Sequence, residues 1–359
     1  MANLKDKITI IGFGQCGGQL AYEFDQLNYN TFYVNTSVTD FPKDIDNDKK
    51  YLINGARGCA KNMSKAIEYG SKYFNDILDK VDARYPLASI CYYIFGSGGG
   101  TGAGITPLML DMAIAKYPNK KYCAVVVLPS DTESLLSQDN AKKSLKMLLD
   151  IKDDLYSIHL LSNNKRDDFL QINSEFAMLL DGVISDDFYS EKGNIDDEEK
   201  EQMVTDQGFT TIVEFESDNF KTGFNEALNK SIYADWNSDC RYLGLVLNEN
   251  FNKDKAIPEI ENEFGIPLTD FTTFTKDISN KVIATGMSFN RNILRNINTN
   301  IKDKLKKKEE LESKNEDIED IEDINLPSML KEKKKPSNNK TAVNTAKDFN
   351  SILDKYKNI

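Results

Sequence analysis

The sequence of this 359-residue chain predicts an α/β fold, a helix-wrapped parallel sheet followed by a second, smaller α/β unit. Three observations carry the prediction. Across the first half, short apolar runs that suit buried strands alternate with segments of helical periodicity, the order of a parallel sheet covered on both faces. A glycine-rich run over 96–104 stands between one such strand and the next helix. After about residue 208 the order of elements changes, which marks a separate unit.

In chain order, strands are predicted over 8–12, 31–35, 51–54, 90–95, 124–128 and 158–161, and helices over 15–26, 61–81, 105–116, 141–149 and 169–187. The second unit takes strands over 210–215, 243–247, 270–275 and 282–288, with helices over 220–233 and 257–264. Ile293, Leu294, Ile297, Ile301 and Leu305 then mark one face of a C-terminal helix. From about Lys306 the chain becomes blocks of charge, basic over 302–308, acidic over 309–323 and basic again over 331–335. Such blocks bury too little surface to fold and serve as solvated interaction tails. The last segment differs, because Phe349, Ile352, Leu353, Tyr356 and Ile359 recur at helical spacing. That stripe suits packing on the chain's own body or docking on a partner.

Composition excludes several classes of function. No apolar stretch approaches the roughly 20 residues that span a bilayer, and the first residues lack the basic-then-apolar plan of a signal peptide. The five cysteines, Cys16, Cys59, Cys91, Cys123 and Cys240, are scattered without metal-ligand spacing and read as reduced thiols of a cytoplasmic protein. Of the net charge of −12, the tail from residue 301 contributes almost nothing, with 14 Lys and Arg against 13 Asp and Glu. The acidic body therefore argues against direct binding of duplex DNA. His159, the one histidine, falls in the strand-like run Ser157-Ile158-His159-Leu160-Leu161 and reads as a core residue. Histidine triads and zinc sites are thereby set aside.

The glycine run, Gly96-Ser97-Gly98-Gly99-Gly100-Thr101-Gly102-Ala103-Gly104, leaves backbone N–H groups unshielded, so it can curl around an anion. An amphipathic helix behind it, beginning near Ile105, adds orphan N–H donors and a positive dipole end. Thr101 sets a hydroxyl in the cradle. The chemistry is that of a di- or triphosphate site, and it is not a P-loop, because the required Lys is missing. A second glycine loop, Gly12-Phe13-Gly14-Gln15-Cys16-Gly17, alone suggests a dinucleotide fold. That fold wants an acid after the second strand, where this chain has Val34-Asn35-Thr36.

The run also resembles the phosphate-binding signature GGGTG[TAS]G of the tubulin/FtsZ family of GTP-dependent filament proteins. The resemblance extends over about residues 7–290. It implies a GTP-binding domain over 1–167, a central helix and loop over 168–207, a C-terminal domain over 208–290, a helix over 291–312 and a flexible charged tail over 313–359. Gly14, Gln15, Cys16 and Gln19 are similar to the first loop of tubulins, and Asn35-Thr36 to the element after the second strand. Gly98, Gly99, Gly100, Thr101 and Gly102 take the phosphates, with Asn163 and Asn173 matching the family's base contacts and Asn164 competing for the first. Residues 55–62 resemble the loop that senses the γ-phosphate, so Arg57 or Lys61 either meets phosphate charge or remains a solvated cation. The implied ligands are GTP and GDP with Mg2+, the ion held mainly by phosphate oxygens and water; no carboxylate cage for it is visible.

Residues 194–199, Asn194-Ile195-Asp196-Asp197-Glu198-Glu199, resemble the family's NxDxxD loop. On that match Asp196 and Glu199 are the catalytic acids, completing the GTP site of the next subunit. Asp197 or Glu201 can stand in for them, and an acidic helix start is the plain structural alternative. Within the family, the tubulin-like first loop, this acidic loop and the charged tail resemble the partition tubulins of plasmids and phages. That branch implies head-to-tail self-assembly, with the tail gripping an adaptor protein on centromere-like DNA. A divergent cell-division FtsZ is the rival within the family, and a nucleotide-dependent oxidoreductase the rival outside it.

Overall fold

A computed structural model describes residues 3–186 and 188–316. The readings made on the charged tail beyond residue 316 and on its apolar stripe lie outside the described residues.

The first half alternates as its periodicity predicts. In order it comprises β1 (Ile8–Phe13), α1 (Gly14–Gln26), β2 (Asn30–Asn35), β3 (Lys50–Leu52), α2 (Met63–Gly70), α3 (Phe74–Arg84) and β4 (Ile90–Gly96). There follow α4 (Thr101–Lys116), β5 (Lys121–Leu128), α5 (Leu135–Leu149), β6 (Ser157–Ser162) and α6 (Phe169–Ile184). A short hairpin of β7 (Tyr189–Ser190) and β8 (Gly193–Asn194) leads to α7 (Asp197–Val204). The second unit is β9 (Gly208–Glu216), α8 (Phe220–Asn229), β10 (Tyr242–Asn248), α9 (Lys253–Phe264), β11 (Thr269–Thr275) and β12 (Ser279–Met287), and α10 (Asn292–Glu316) closes the described chain.

The strand order β3-β2-β1-β4-β5-β6 reverses between β1 and β4, and all these pairs are parallel. Such a reversal opens a crevice at the strands' C-terminal ends. β4 shows why both faces need helices. Ile90, Tyr92 and Ile94 belong to the core shared with α1 and α6, while Cys91, Tyr93 and Phe95 belong to the core under α2, α3, α4 and α5. The second unit is not a detached sheet. β9 pairs in parallel with β6 through Ser157↔Gly208 and Ile158↔Phe209, so ten strands form one sheet in the order β11-β10-β12-β9-β6-β5-β4-β1-β2-β3.

Three expectations about helices need correction. The helix predicted over 61–81 is two, α2 and α3, broken after Gly70, where a Cβ would lie 2.8 Å from Ile105 Cδ1. The helix behind the glycine run starts at Thr101, and its residues from Thr101 to Ala113 are all buried, so it is a central rather than an amphipathic helix. α5 starts six residues before its predicted start at 141, capped by Ser134, whose hydroxyl accepts from Ser137 N at 3.2 Å. α10 packs along α5, with Ile293 and Ile297 buried and Asn300 donating to Asp131 at 2.8 Å.

His159 is a core residue. Its Nε2 lies 3.1 Å from Ser157 Oγ and its Nδ1 3.2 Å from the Tyr233 hydroxyl. Burial pushes its pKa down to about 3, so it is neutral in the folded chain. The unfolded chain takes up this proton near pH 6.5. Stability held above that pH is therefore lost as pH falls toward about 3, at up to about 1.4 kcal/mol per pH unit. His159→Gln keeps a neutral hydrogen-bonding side chain and is expected to flatten the acid limb of a Tm-against-pH curve. An unchanged slope would assign that limb to carboxylates alone.

Candidate functional site

The crevice at the C-terminal ends of β1, β4 and β5 is a cavity of about 470 Å³. Two helices start on it without a side-chain cap, α1 after Phe13 and α4 after Gly100. The first turn of a helix leaves N–H groups without intrahelical acceptors, so two positive dipole ends converge on one space. The glycines let the two ends meet. A Cβ on Gly14, where φ is +69°, would come 3.1 Å from Gly102 N, and one on Gly102 would come 3.0 Å from Phe13 O. Gly100 faces Lys61 and Asn62 just as closely, at 3.0 Å.

Most of the expected nucleotide residues share this wall. Gly14, Gln15, Cys16, Gln19, Gly98, Gly99, Gly100, Thr101, Gly102, Asn163 and Asn173 all line the cavity. Asn35 and Arg57 do not. Asn35 is buried behind it, its Oδ1 accepting from Thr36 N at 2.8 Å and closing the turn after β2. Arg57 is exposed and is not among the residues that line the cavity. Lys61, by contrast, is on the wall. Burial, with the Glu133 carboxylate adding to it, pushes the Cys16 thiol up to about 12, which leaves it a neutral packing group.

Asn163 lines the cavity, its Nδ2 donating to Glu133 Oε1 at 3.4 Å. Its Oδ1 is buried and without a partner. An amide can offer both a donor and an acceptor to the edge of a base. Beside this asparagine Phe169 and Leu170, 46% and 55% exposed at the start of α6, offer an apolar face for a ring. Asn164 turns away instead, accepting from Asp131 N at 2.8 Å.

Thr36, of the expected Asn35-Thr36 element, shares a 2.7 Å hydrogen bond with Thr101 and ties the end of β2 to the glycine loop. Two contributors were not expected from the sequence. Glu133 holds Asn163 and Ser130 N. Asn140, from α5, donates to Lys61 O at 2.8 Å and to Gly99 O at 2.9 Å, stapling the 59–62 loop to the glycine run. Asn140→Ala leaves those buried acceptors unpaired, at about 1–3 kcal/mol. It is expected to weaken guanine-nucleotide binding about tenfold in an equilibrium titration; wild-type affinity would make Asn140 a packing residue alone.

The two candidate acids are elsewhere. Asp196 caps α7, its Oδ1 accepting from Glu199 N at 2.9 Å while Glu199 Oε2 accepts from Asp196 N at 3.0 Å. Glu201 anchors the same helix through Lys7 and Lys121, each at 2.8 Å, and these lysines hold its carboxyl below the usual range. Tyr92 adds a bond from its hydroxyl to Val204 O at 2.8 Å. Lys7 precedes β1 and Lys121 begins β5, so α7 is fixed at the N-terminal ends of the strands whose C-terminal ends form the cavity. Strands of six and eight residues put roughly 20 Å between the two. Among the described residues no group of acids, histidines or cysteines could cage a metal ion.

A family model described as the GTPase domain of the tubulin/FtsZ family matches residues 7–168. The tubulin-like protein TubZ of Clostridium botulinum C phage is 30% identical over 323 residues, which cover 88% of each chain. The solved structure of a tail-truncated TubZ from Clostridium botulinum phage c-st is 28% identical with a TM-score of 0.78, covering 85% of this chain and 100% of that one. A GTPγS-form protofilament of TubZ from Bacillus thuringiensis serovar israelensis shares the fold, with a TM-score of 0.73 at 16% identity over 86% of this chain and 94% of that one.

Proposed function

The chain belongs to the tubulin/FtsZ family, and from that premise we propose that it assembles head to tail with GTP and hydrolyses it between subunits. One observation carries the reading: the phosphate cradle and the acidic helix start sit at opposite ends of one sheet. Asp196 and Glu199 cannot reach their own cavity, yet stacking subunits end on end brings each pair to the next subunit's cavity. The solved TubZ protofilament supports assembly of this kind in a related chain.

In the proposed site the N–H groups of Gly98–Gly102 and of the first turn of α1 hold the phosphates. Asn163 and Asn173 orient the base against Phe169 and Leu170. Asp196 and Glu199 of the next subunit orient a water in line with the γ-phosphorus and accept its proton as the oxygen–phosphorus bond forms. The wall carries only scattered carboxylates, Asp40 and Glu133, so Mg2+ would be held by phosphate oxygens and water and would neutralise the charge of the leaving diphosphate.

The identity shared with a phage TubZ over 88% of both chains supports placing this chain with the partition tubulins, cytoplasmic filaments that move plasmid or phage DNA. The tail would grip an adaptor on that DNA, its lysines adding a salt-sensitive term. No described helix is long and apolar enough to cross a membrane. Sedimentation with GTP, GDP or a slowly hydrolysed analogue tests the assembly. Pelleting with GTP that persists with the analogue is expected; no pellet with either triphosphate would overturn the filament reading.

A further inference from the structure

Two buried lysines meet near the C-terminal end of α6. Lys200 of α7 and Lys281 of β12 are each only 8% exposed, and a buried ammonium needs a partner. Both find one in the segment between α6 and α7. Lys281 Nζ pairs with the Asp186 carboxylate, with Glu214 farther off at 3.8 Å, and Lys200 Nζ donates to Asp186 O at 2.6 Å. The same two ammoniums stand over the Phe188 ring, Lys281 at 5.9 Å and Lys200 at 5.0 Å from its centroid. Gly182 of α6 leaves the room that this requires, since a Cβ there would lie 2.6 Å from Lys281 Nζ.

What is fixed at Asp186 and Phe188 reaches the acids by a short route. Phe188 O accepts from Ile195 N at 3.0 Å, and Ile195, itself buried, directly precedes Asp196. The hairpin of β7 and β8 rests on the edge strand β11 of the second unit. There Thr273 donates to Gly193 O at 3.0 Å, and a Cβ on Gly193 would lie 2.6 Å from Thr272 O. Glu201 ties α7 to the first unit through Lys7 and Lys121; Lys281 ties the segment before it to the second. Asp196 and Glu199 therefore stand on a support held from both units. A misplacement of about 1 Å in such a support costs a rate about 100-fold.

We propose that Lys281, paired with Asp186, is a positioning residue for GTP hydrolysis: through Phe188 and Ile195 it sets how the start of α7 presents Asp196 and Glu199 to the next subunit. The inference rests on those acids acting across the junction. GTP turnover per pelleted subunit tests it in the full chain, beside equilibrium titration with GTPγS and pelleting with that analogue. Lys281→Met is expected to slow turnover by about tenfold or more. GTPγS affinity and pelleting are expected to stay within about twofold of wild type, because Lys281 does not line the cavity. Lys281→Arg keeps the charge and restores most of the rate. Asp186→Ala breaks the same pair from its exposed side, so it keeps the test open if Lys281→Met melts early, and the same slowing is expected. Added to a chain carrying Asp196→Asn and Glu199→Gln, Lys281→Met is expected to slow turnover no further, an outcome that a merely structural lysine would not give. Wild-type turnover in both pair variants, a further loss of about tenfold in the acid-free chain, or loss of pelleting in both pair variants would overturn the assignment and leave the acids in their role. Wild-type turnover in the chain lacking both acids would overturn the two readings together.

Discussion

Gly102→Ala is expected to lower guanine-nucleotide affinity by about 10- to 100-fold while the chain still folds. The added methyl would sit 3.0 Å from Phe13 O and 3.1 Å from Phe95 Cβ, so the start of α4 must move away from the start of α1. Overpacking of this kind costs about 1–3 kcal/mol, and the shift carries N–H donors off the bound phosphates. Gly18→Ala is the control. It lies in α1, the other helix that starts on the cavity, but its Cβ meets nothing nearer than Pro42 Cδ at 3.8 Å, so wild-type affinity is expected there. Isothermal titration with GDP reads both. Wild-type affinity in both variants would mean that the convergence of the two helix starts does not bind the nucleotide.

Asp196→Asn and Glu199→Gln are each expected to slow GTP turnover by about 100-fold or more while sparing GTP binding and pelleting. These replacements matter because both side chains form the capping box of α7. The amides can still accept from the same N–H groups, so the helix keeps its start and loses only the charge. Asp196→Ala would add the loss of a cap, about 1 kcal/mol, and would confuse the two roles. Phosphate release beside a sedimentation assay separates them. Full turnover in both amide variants would leave these acids as a helix cap and nothing more.

The parts of this architecture written in local pattern were legible. Each predicted strand of the first half lies where an apolar run meets Gly, Asn, Ser or Pro, and the glycine run announces its own chemistry. The start of α5 was also readable, because Ser134 is a good cap three residues before Ser137. What sequence pattern hides is contact across the fold. A side chain at Gly70, the last residue of α2, is excluded by Ile105, 35 positions along the chain. Asn140 staples two loops that lie far from it in sequence, and Thr36 meets Thr101 from far along the chain. The join of β6 to β9 rests on two residue pairs separated by some 50 residues. Arg57 and Lys61 are alike in sequence, yet in the folded loop Lys61 lines the cavity and Arg57 does not.

The central claim is that the site is completed by a second copy of the chain, and mixing two inactive variants tests it most directly. The Gly102→Ala chain has a damaged cavity and intact acids; the Glu199→Gln chain has the reverse. Phosphate release is measured for each alone and for an equal mixture, with co-sedimentation showing that both enter the filament. Random head-to-tail assembly pairs an intact cavity with intact acids at roughly a quarter of the junctions. The mixture is therefore expected to recover roughly that share of the wild-type rate. Turnover no greater than the sum of the separate chains, with both in the pellet, would place the acids and the cavity in the service of one subunit and contradict the account.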